Sequence, residues 1–325
     1  MQSKLDTMKI AEQTARLTKL GVDKTVLDSY REPHRFYHTL EHLDDVWQQL
    51  ENRGYSDNDV LLLATIFHDI IYDPRSGTNE EDSAQYFNET FTGDGALKAL
   101  VTDIILDTKH HKPGSALSEI FSAADLNILK QPFDKLLIYE QQIFKEFQFV
   151  DHKIYREKRV DILKSLRQSI DNPALDYLIA YVENFKPRIA VYPGSFNPFH
   201  KGHYNILQKA ERIFDKVIIA RGVNPGKDKA TYELPEILRY RQTETYEGLL
   251  TEFVDTLNYE VTIIRGLRNG SDLQYELNQY RYLQELGGKN ISVTAIFCDM
   301  EFEHISSTGI RQLEKYGKAG EYLLF

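Results

Sequence analysis

Apolar positions recur at helical spacing through the first part of the chain and change to short strand-like runs after Lys186-Pro187. "KIAEQTARLTKLG" opens the series and ends at Gly21, a residue suited to a left-handed helix cap. "HTLEHLDDVWQQLE", "DVLLLATIFHDIIY", "EDSAQYFNETF", "GALKALVTDIILDTKHH" and "FDKLLIYEQQIFKEF" continue it, separated by breaks such as "DPRSGTNE" and "HKPGS". "REKRVDILKSLRQ" and "PALDYLIAYVENF" complete a region that reads as all-α. Beyond Pro187 the order is strand "RIAVYPG", helix "HYNILQKAERIF", strand "DKVIIARGV", strand "EVTIIRGL", helix "DLQYELNQYRYLQEL", strand "ISVTAIFCD" and a final helix from "SSTGIRQLEKY". Strands alternating with helices imply right-handed crossovers and a parallel sheet. Two domains are expected: all-α over residues 1–186, and α/β, Rossmann-like, over residues 187–325.

At 325 residues, with 42% hydrophobic content, the chain can bury two separate cores. No apolar run approaches the ~18 residues of a membrane span. The start, "MQSKLDTMKIAEQT", lacks a basic-then-apolar leader pattern, and the one cysteine, Cys298, forms no internal disulfide. A cytoplasmic protein with no membrane partner is expected. The net charge of −10 is uneven: residues 1–186 hold 22 Lys+Arg against 31 Asp+Glu, and residues 187–325 hold 17 against 18. An acidic half is a poor surface for a polyphosphate backbone, so small phosphorylated ligands are expected and nucleic acid is not.

In a parallel α/β sheet, ligands collect at the carboxyl ends of the strands. "YPGSFNPFHKGH" (192–203) lies at such an end, leading from the first strand into a helix whose free N–H groups favour phosphate. Gly194 permits close backbone approach, and His200 and His203 add imidazole donors. Later strand ends supply Lys227 in "NPGK", Arg265 and Arg268 in "IIRGLRNGSD", and Ser306, Ser307 and Thr308 in "ISST". A polar turn would explain any one of these segments; four loaded strand ends point to a phosphate site.

"HKGH" (200–203) resembles the (T/H)xGH signature of the nucleotidyltransferase superfamily. "IIRGLRNGSDLQYELNQYRYLQEL" and "ISSTGIR" resemble stretches of phosphopantetheine adenylyltransferase, and the likeness covers about residues 188–316. The resemblance implies adenylyl transfer from ATP, with Mg²⁺ on the triphosphate and assembly as a homo-oligomer. It assigns His203 to the α-phosphate as the catalytic imidazole. It places Gly194, Ser195, Phe196, His200, Arg268, Glu276, Ser306, Ser307 and Thr308 around ATP and phosphate. Lys227 and Arg265 would hold the acceptor, either 4′-phosphopantetheine or another phosphomonoester such as nicotinamide mononucleotide.

Six of the ten histidines lie between residues 34 and 111. His38 and His42 are expected four apart on one helix face, and His68-Asp69 and Asp125 each follow an apolar run. Imidazole and carboxylate suit a transition metal. "YHTLEHLDDVW", "EPHRFYH", "FHDIIYD", "NEEDSA" and "AADLNIL" resemble segments of HD-superfamily metal-dependent phosphohydrolases. That resemblance implies His42, His68, Asp69 and Asp125 as ligands of Mn, Fe, Zn, Ni or Co, with Asp69 also orienting water and His38 donating a proton. Glu80, Glu81, His110 and His111 stand as secondary candidates. The reading is a bifunctional enzyme; the alternative makes the first domain a metal- and nucleotide-binding regulatory module.

Overall fold

The computed structural model describes residues 9–223, 232–287 and 291–324. The chain forms two compact units, one of Met1–Phe147 with Arg156–Glu183 and one of Gln148–Tyr155 with Asn184–Phe325. The architecture is an all-α region followed by an α/β region with a five-stranded parallel sheet.

The helices of the first region are α1 (Lys9–Glu12), α2 (Thr14–Lys19), α3 (Leu40–Asn52), α4 (Asp59–Phe67), α5 (Asn79–Thr90), α6 (Gly95–Thr108), α7 (Ala116–Asp125), α8 (Phe133–Glu146), α9 (His152–Ser169) and α10 (Ala174–Asn184). The helix expected over residues 9–21 is broken in two at Gln13, and Gly21 takes the left-handed conformation (φ 79°). Helix α4 is buried all round from Leu61 to Phe67, which marks it as the centre of the bundle. Leu43, Trp47 and Leu50 of α3, Phe87 of α5, Val101 and Ile105 of α6 and Phe121 of α7 share its core.

In the second region the elements are β1 (Ile189–Gly194), α11 (Lys201–Ala210), β2 (Lys216–Val223), β3 (Thr243–Glu247), α12 (Leu250–Leu257), β4 (Thr262–Leu267), α13 (Gly270–Gly287), β5 (Ser292–Phe297) and α14 (Ser307–Glu314). Strand order is β3-β2-β1-β4-β5, every pair parallel. Order reverses between β1 and β4, the place where open α/β sheets leave a crevice. One face packs Tyr192, Phe196, Val217, Ile219 and Ile264 against Ile206, Leu207 and Ala210 of α11. The other packs Val191, Ile218 and Ala220 against Tyr246, Leu250 and Phe253.

The four expected strands are present within two residues of their expected ends, but β3, "TETYE", was not anticipated. It is a polar edge strand whose residues are half-buried at most, so it carries no apolar run to read. Among the described residues no helix is long and apolar enough to cross a membrane.

Candidate functional sites

In the helical unit, His42 comes from α3, His68 caps the C-terminal end of α4 and Asp125 ends α7. Their ligand atoms all lie within 4.8 Å of one another. His42 Nε2 is 3.1 Å from His68 Nε2 and 3.3 Å from Asp125 Oδ1; Asp69 Oδ2 is 3.1 Å from His68 Nε2 and 3.6 Å from His42 Nε2. His68 Nδ1 donates to Thr65 O at 3.1 Å, which leaves its Nε2 for the cluster. Arg35 fixes the turn after α4 by donating to Asp69 O at 2.7 Å and Ile70 O at 3.0 Å.

Two buried imidazole nitrogens face each other beside two carboxylates, an arrangement that calls for a cation. Burial works against charge on His68, but Asp69 and Asp125 outweigh it and raise its pKa to about 9. Burial likewise works to raise Asp69, and His68 overrides it, holding the carboxyl well below the usual range. The donor set fits a divalent metal held by His42, His68 and Asp125, with Asp69 alongside. Among the described residues this cluster includes none of Glu80, Glu81, His110 and His111; Glu81 instead pairs with Lys109.

The expectation that His38 shares a helix with His42 is corrected, because α3 begins at Leu40. Glu146 holds the segment before it in a bend: its Oε1 accepts the N–H groups of Phe36 (2.7 Å), Tyr37 (2.7 Å) and His38 (3.0 Å). Its Oε2 accepts His38 Nδ1 at 2.8 Å and the Tyr72 hydroxyl at 2.7 Å. His38 still lies beside His42, with ring centroids 5.9 Å apart. Burial alone would raise Glu146, yet His38 and the donated hydrogen bonds hold its pKa at about 2; His38 is raised in turn, Glu146 outweighing burial. Sequence reasoning passed over Glu146. Its signal was a charged residue at a core position of α8, in step with Leu136, Tyr139 and Ile143.

In the α/β unit a cavity of about 330 Å³ opens at the ends of β1, β4 and β5. His200, His203, Arg268, Glu276, Ser306 and Ser307 line it together with Tyr192, Gly266, Asp272 and Cys298. His200 caps α11: its Nδ1 accepts from His203 N at 3.4 Å, and His203 Nδ1 accepts from His200 N at 3.4 Å. The rings stack with centroids 3.6 Å apart. With both Nδ1 atoms accepting, each neutral ring carries its proton on Nε2. Burial, with Arg268 nearby, lowers the His200 pKa to about 4; burial, His200 and Arg268 push His203 well below its usual value. Both are therefore neutral hydrogen-bond donors near pH 7.

Arg268 is held by Asp272, its Nε 2.8 Å from Oδ2 and its Nη2 2.9 Å from Oδ1. Ser306 caps α14 by accepting from Gly309 N at 3.1 Å, and Ser307 donates to Pro198 O at 3.0 Å, tying α14 to the loop after β1. Gly266 is tightly packed: a Cβ there would sit 3.0 Å from Ile206 and 3.4 Å from the Tyr192 hydroxyl, so those side chains would have to give. A Cβ on Gly194 would meet the buried Phe196 ring at 2.7 Å, so the ring would have to shift to admit one.

Outside the cavity lining, Phe196 is buried in the apolar cluster beneath the loop, Ser195 is exposed in the loop, and Thr308 is exposed and accepts from Arg311. Arg265 pairs with Glu276 at 3.2 Å. Lys227 lies outside the described residues. Asp272 and Tyr192 were not singled out from the sequence; Asp272 is a carboxylate four residues after Arg268 in the first turn of α13.

A parallel sheet with reversed strand order at a cavity of paired histidines, arginine and serines defines a nucleotidyltransferase-type fold, and residues 191–313 match the cytidylyltransferase-like family. The chain is 38% identical over 140 residues to a phosphopantetheine adenylyltransferase of Mycoplasma capricolum, covering 40% of this chain and 99% of that protein. It is 32% identical over 146 residues to that of Clostridium novyi (42% and 89%) and 34% identical over 143 residues to that of Porphyromonas gingivalis (41% and 91%). Through its C-terminal α/β region, the chain belongs to the phosphopantetheine adenylyltransferase family.

Proposed function

We propose a bifunctional enzyme whose α/β unit transfers AMP from ATP to a phosphomonoester, 4′-phosphopantetheine, giving dephospho-coenzyme A and pyrophosphate. The observation that carries this reading is the stacked His200–His203 pair, which brings two neutral Nε2–H donors to a cavity that also holds Arg268 and Ser307. An acceptor phosphate oxygen attacks the α-phosphorus in line; one P–O bond forms as the bond to the β-phosphate oxygen breaks. Negative charge gathers on the α-phosphoryl oxygens, where the His203 Nε2–H donates and Arg268 supplies charge. Mg²⁺ on ATP would neutralise part of the triphosphate charge. The acceptor is the one for which the similar proteins are named, and the α/β region covers 99% and 91% of the length of two of them.

The helical unit hydrolyses a phosphate ester in the same proposal. A divalent ion at His42, His68, Asp69 and Asp125 would supply Lewis acidity, lowering the pKa of a water nucleophile and polarising a phosphoryl oxygen. Asp69 orients that water, and His38, kept protonated by Glu146, gives a proton to the leaving oxygen.

Pyrophosphate release from ATP and Mg²⁺ is the test, run with 4′-phosphopantetheine and with nicotinamide mononucleotide. Release with the first alone is expected. Release only with the second would replace the acceptor, and release with neither would overturn adenylyl transfer.

A further inference from the structure

Arg221 stands at the carboxyl end of β2, in register with Gly194 of β1 and Thr245 of β3. Along β2, Val217 and Ile219 pack with Tyr192 and Phe196, whereas Ile218 and Ala220 pack with Tyr246 and Phe253. The two-residue period of a strand puts Arg221 on the first of these faces, the one α11 covers. Its Nη2 is buried and has no hydrogen-bond partner among the described residues. Of the other two arginines at these strand ends, Arg268 is hydrogen-bonded by Asp272, and Arg265 Nε lies 3.2 Å from Glu276 Oε2 in an ion pair without hydrogen-bond geometry. Burial lowers the Arg221 pKa, and among the described residues no charge opposes that shift.

A guanidinium nitrogen taken from water without an acceptor is a net cost to the fold, and an anionic oxygen bound there would remove that cost. The anion is not the triphosphate. The cavity is bounded by residues of β1, β4, the turn after β5 and the helices beside them, and no residue of β2 or β3 lines it. In the sheet order Arg221 lies across β1 from it, beyond the reach of the residues that line that cavity. We infer that Arg221 recognises the acceptor, its guanidinium taking an anionic oxygen of the phosphomonoester; this rests on the adenylyl-transfer reading.

The test compares the full-length protein with Arg221→Met and Arg221→Lys, using 4′-phosphopantetheine as the probe. In pyrophosphate release, Arg221→Met should raise the acceptor KM about tenfold to a hundredfold, the worth of one charge-assisted hydrogen bond. The KM for ATP should stay as it is, and Arg221→Lys should recover part of the loss. Calorimetric binding should show the same weakening of 4′-phosphopantetheine and unchanged ATP affinity. Equal acceptor affinity in wild type and Arg221→Met overturns the inference, as does a parallel loss of ATP affinity, which marks a structural role. A wild type that binds acceptor through Arg221 but releases no pyrophosphate would defeat the transfer reading and leave this one standing.

Discussion

Glu146 Oε2 accepts a hydrogen bond from His38 Nδ1 at 2.8 Å, across 108 positions of sequence. The fully buried carboxylate thereby orients the imidazole while its other oxygen holds three backbone N–H groups. Glu146→Gln keeps the shape and removes the charge. Hydrolysis of bis(p-nitrophenyl) phosphate by the metal-loaded protein should fall about 10²–10⁴-fold, the range for a lost general acid, with metal content unchanged. Undiminished hydrolysis would take Glu146 and His38 out of the chemistry.

The same pair sets a pH window for stability. Glu146 is depressed from 4.5 to about 2, so its contribution is complete above 4.5 and lost as pH falls toward 2. His38 is raised from 6.5, so its contribution is complete below 6.5 and lost as pH rises through its folded value. The stability difference between wild type and Glu146→Gln, from urea melts, should therefore be largest between about 4.5 and 6.5. A difference that is flat from pH 3 to 9 would contradict the ion pair.

Removing one donor from the cluster should release metal. His68→Ala and Asp125→Ala should each lose most of the bound divalent metal in elemental analysis. They should also lose the gain in Tm that metal gives the wild type. Full retention of metal in both variants would dismiss the cluster as a metal centre.

His203→Ala should fold normally and lose about 10²–10³ in adenylyl-transfer rate, the cost of deleting one donor to the charged transition state. Because His200 titrates at about 4 and His203 lies well below its usual value, neither should impose a step near pH 6.5 on the rate profile. Histidine NMR signals still titrating near 6.5 at both positions would disprove the neutral pair.

Lys216 is buried and donates to Val150 O at 2.8 Å and to Gln148 O. Burial lowers its pKa from 10.5 to about 7, so below 7 the fold bears the full cost of its charge. That cost is relieved as pH rises from about 7 toward 10.5, where the unfolded chain holds the extra proton. Wild-type stability relative to Lys216→Met should climb through that interval. A constant or falling difference would mean the ammonium is satisfied as it stands.

Periodicity carried the helical region and four of the five strands, since 3.6- and two-residue repeats are written locally in the order of residues. It failed at β3, where a polar edge strand has no apolar repeat to display. It also carried His38 onto a helix it does not join, because the helix start depends on a carboxylate that arrives from α8.

The order of residues by itself determined two dissimilar regions, the "HKGH" turn into a helix and a supply of imidazoles and carboxylates at the ends of apolar runs. Only the tertiary structure decided that Glu146 clamps His38, that the two histidines of the turn share backbone hydrogen bonds, and that Arg221 Nη2 is left without a hydrogen-bond partner among the described residues. Those relations are between groups distant in sequence or competing for one partner, and packing in three dimensions is what selects the partner.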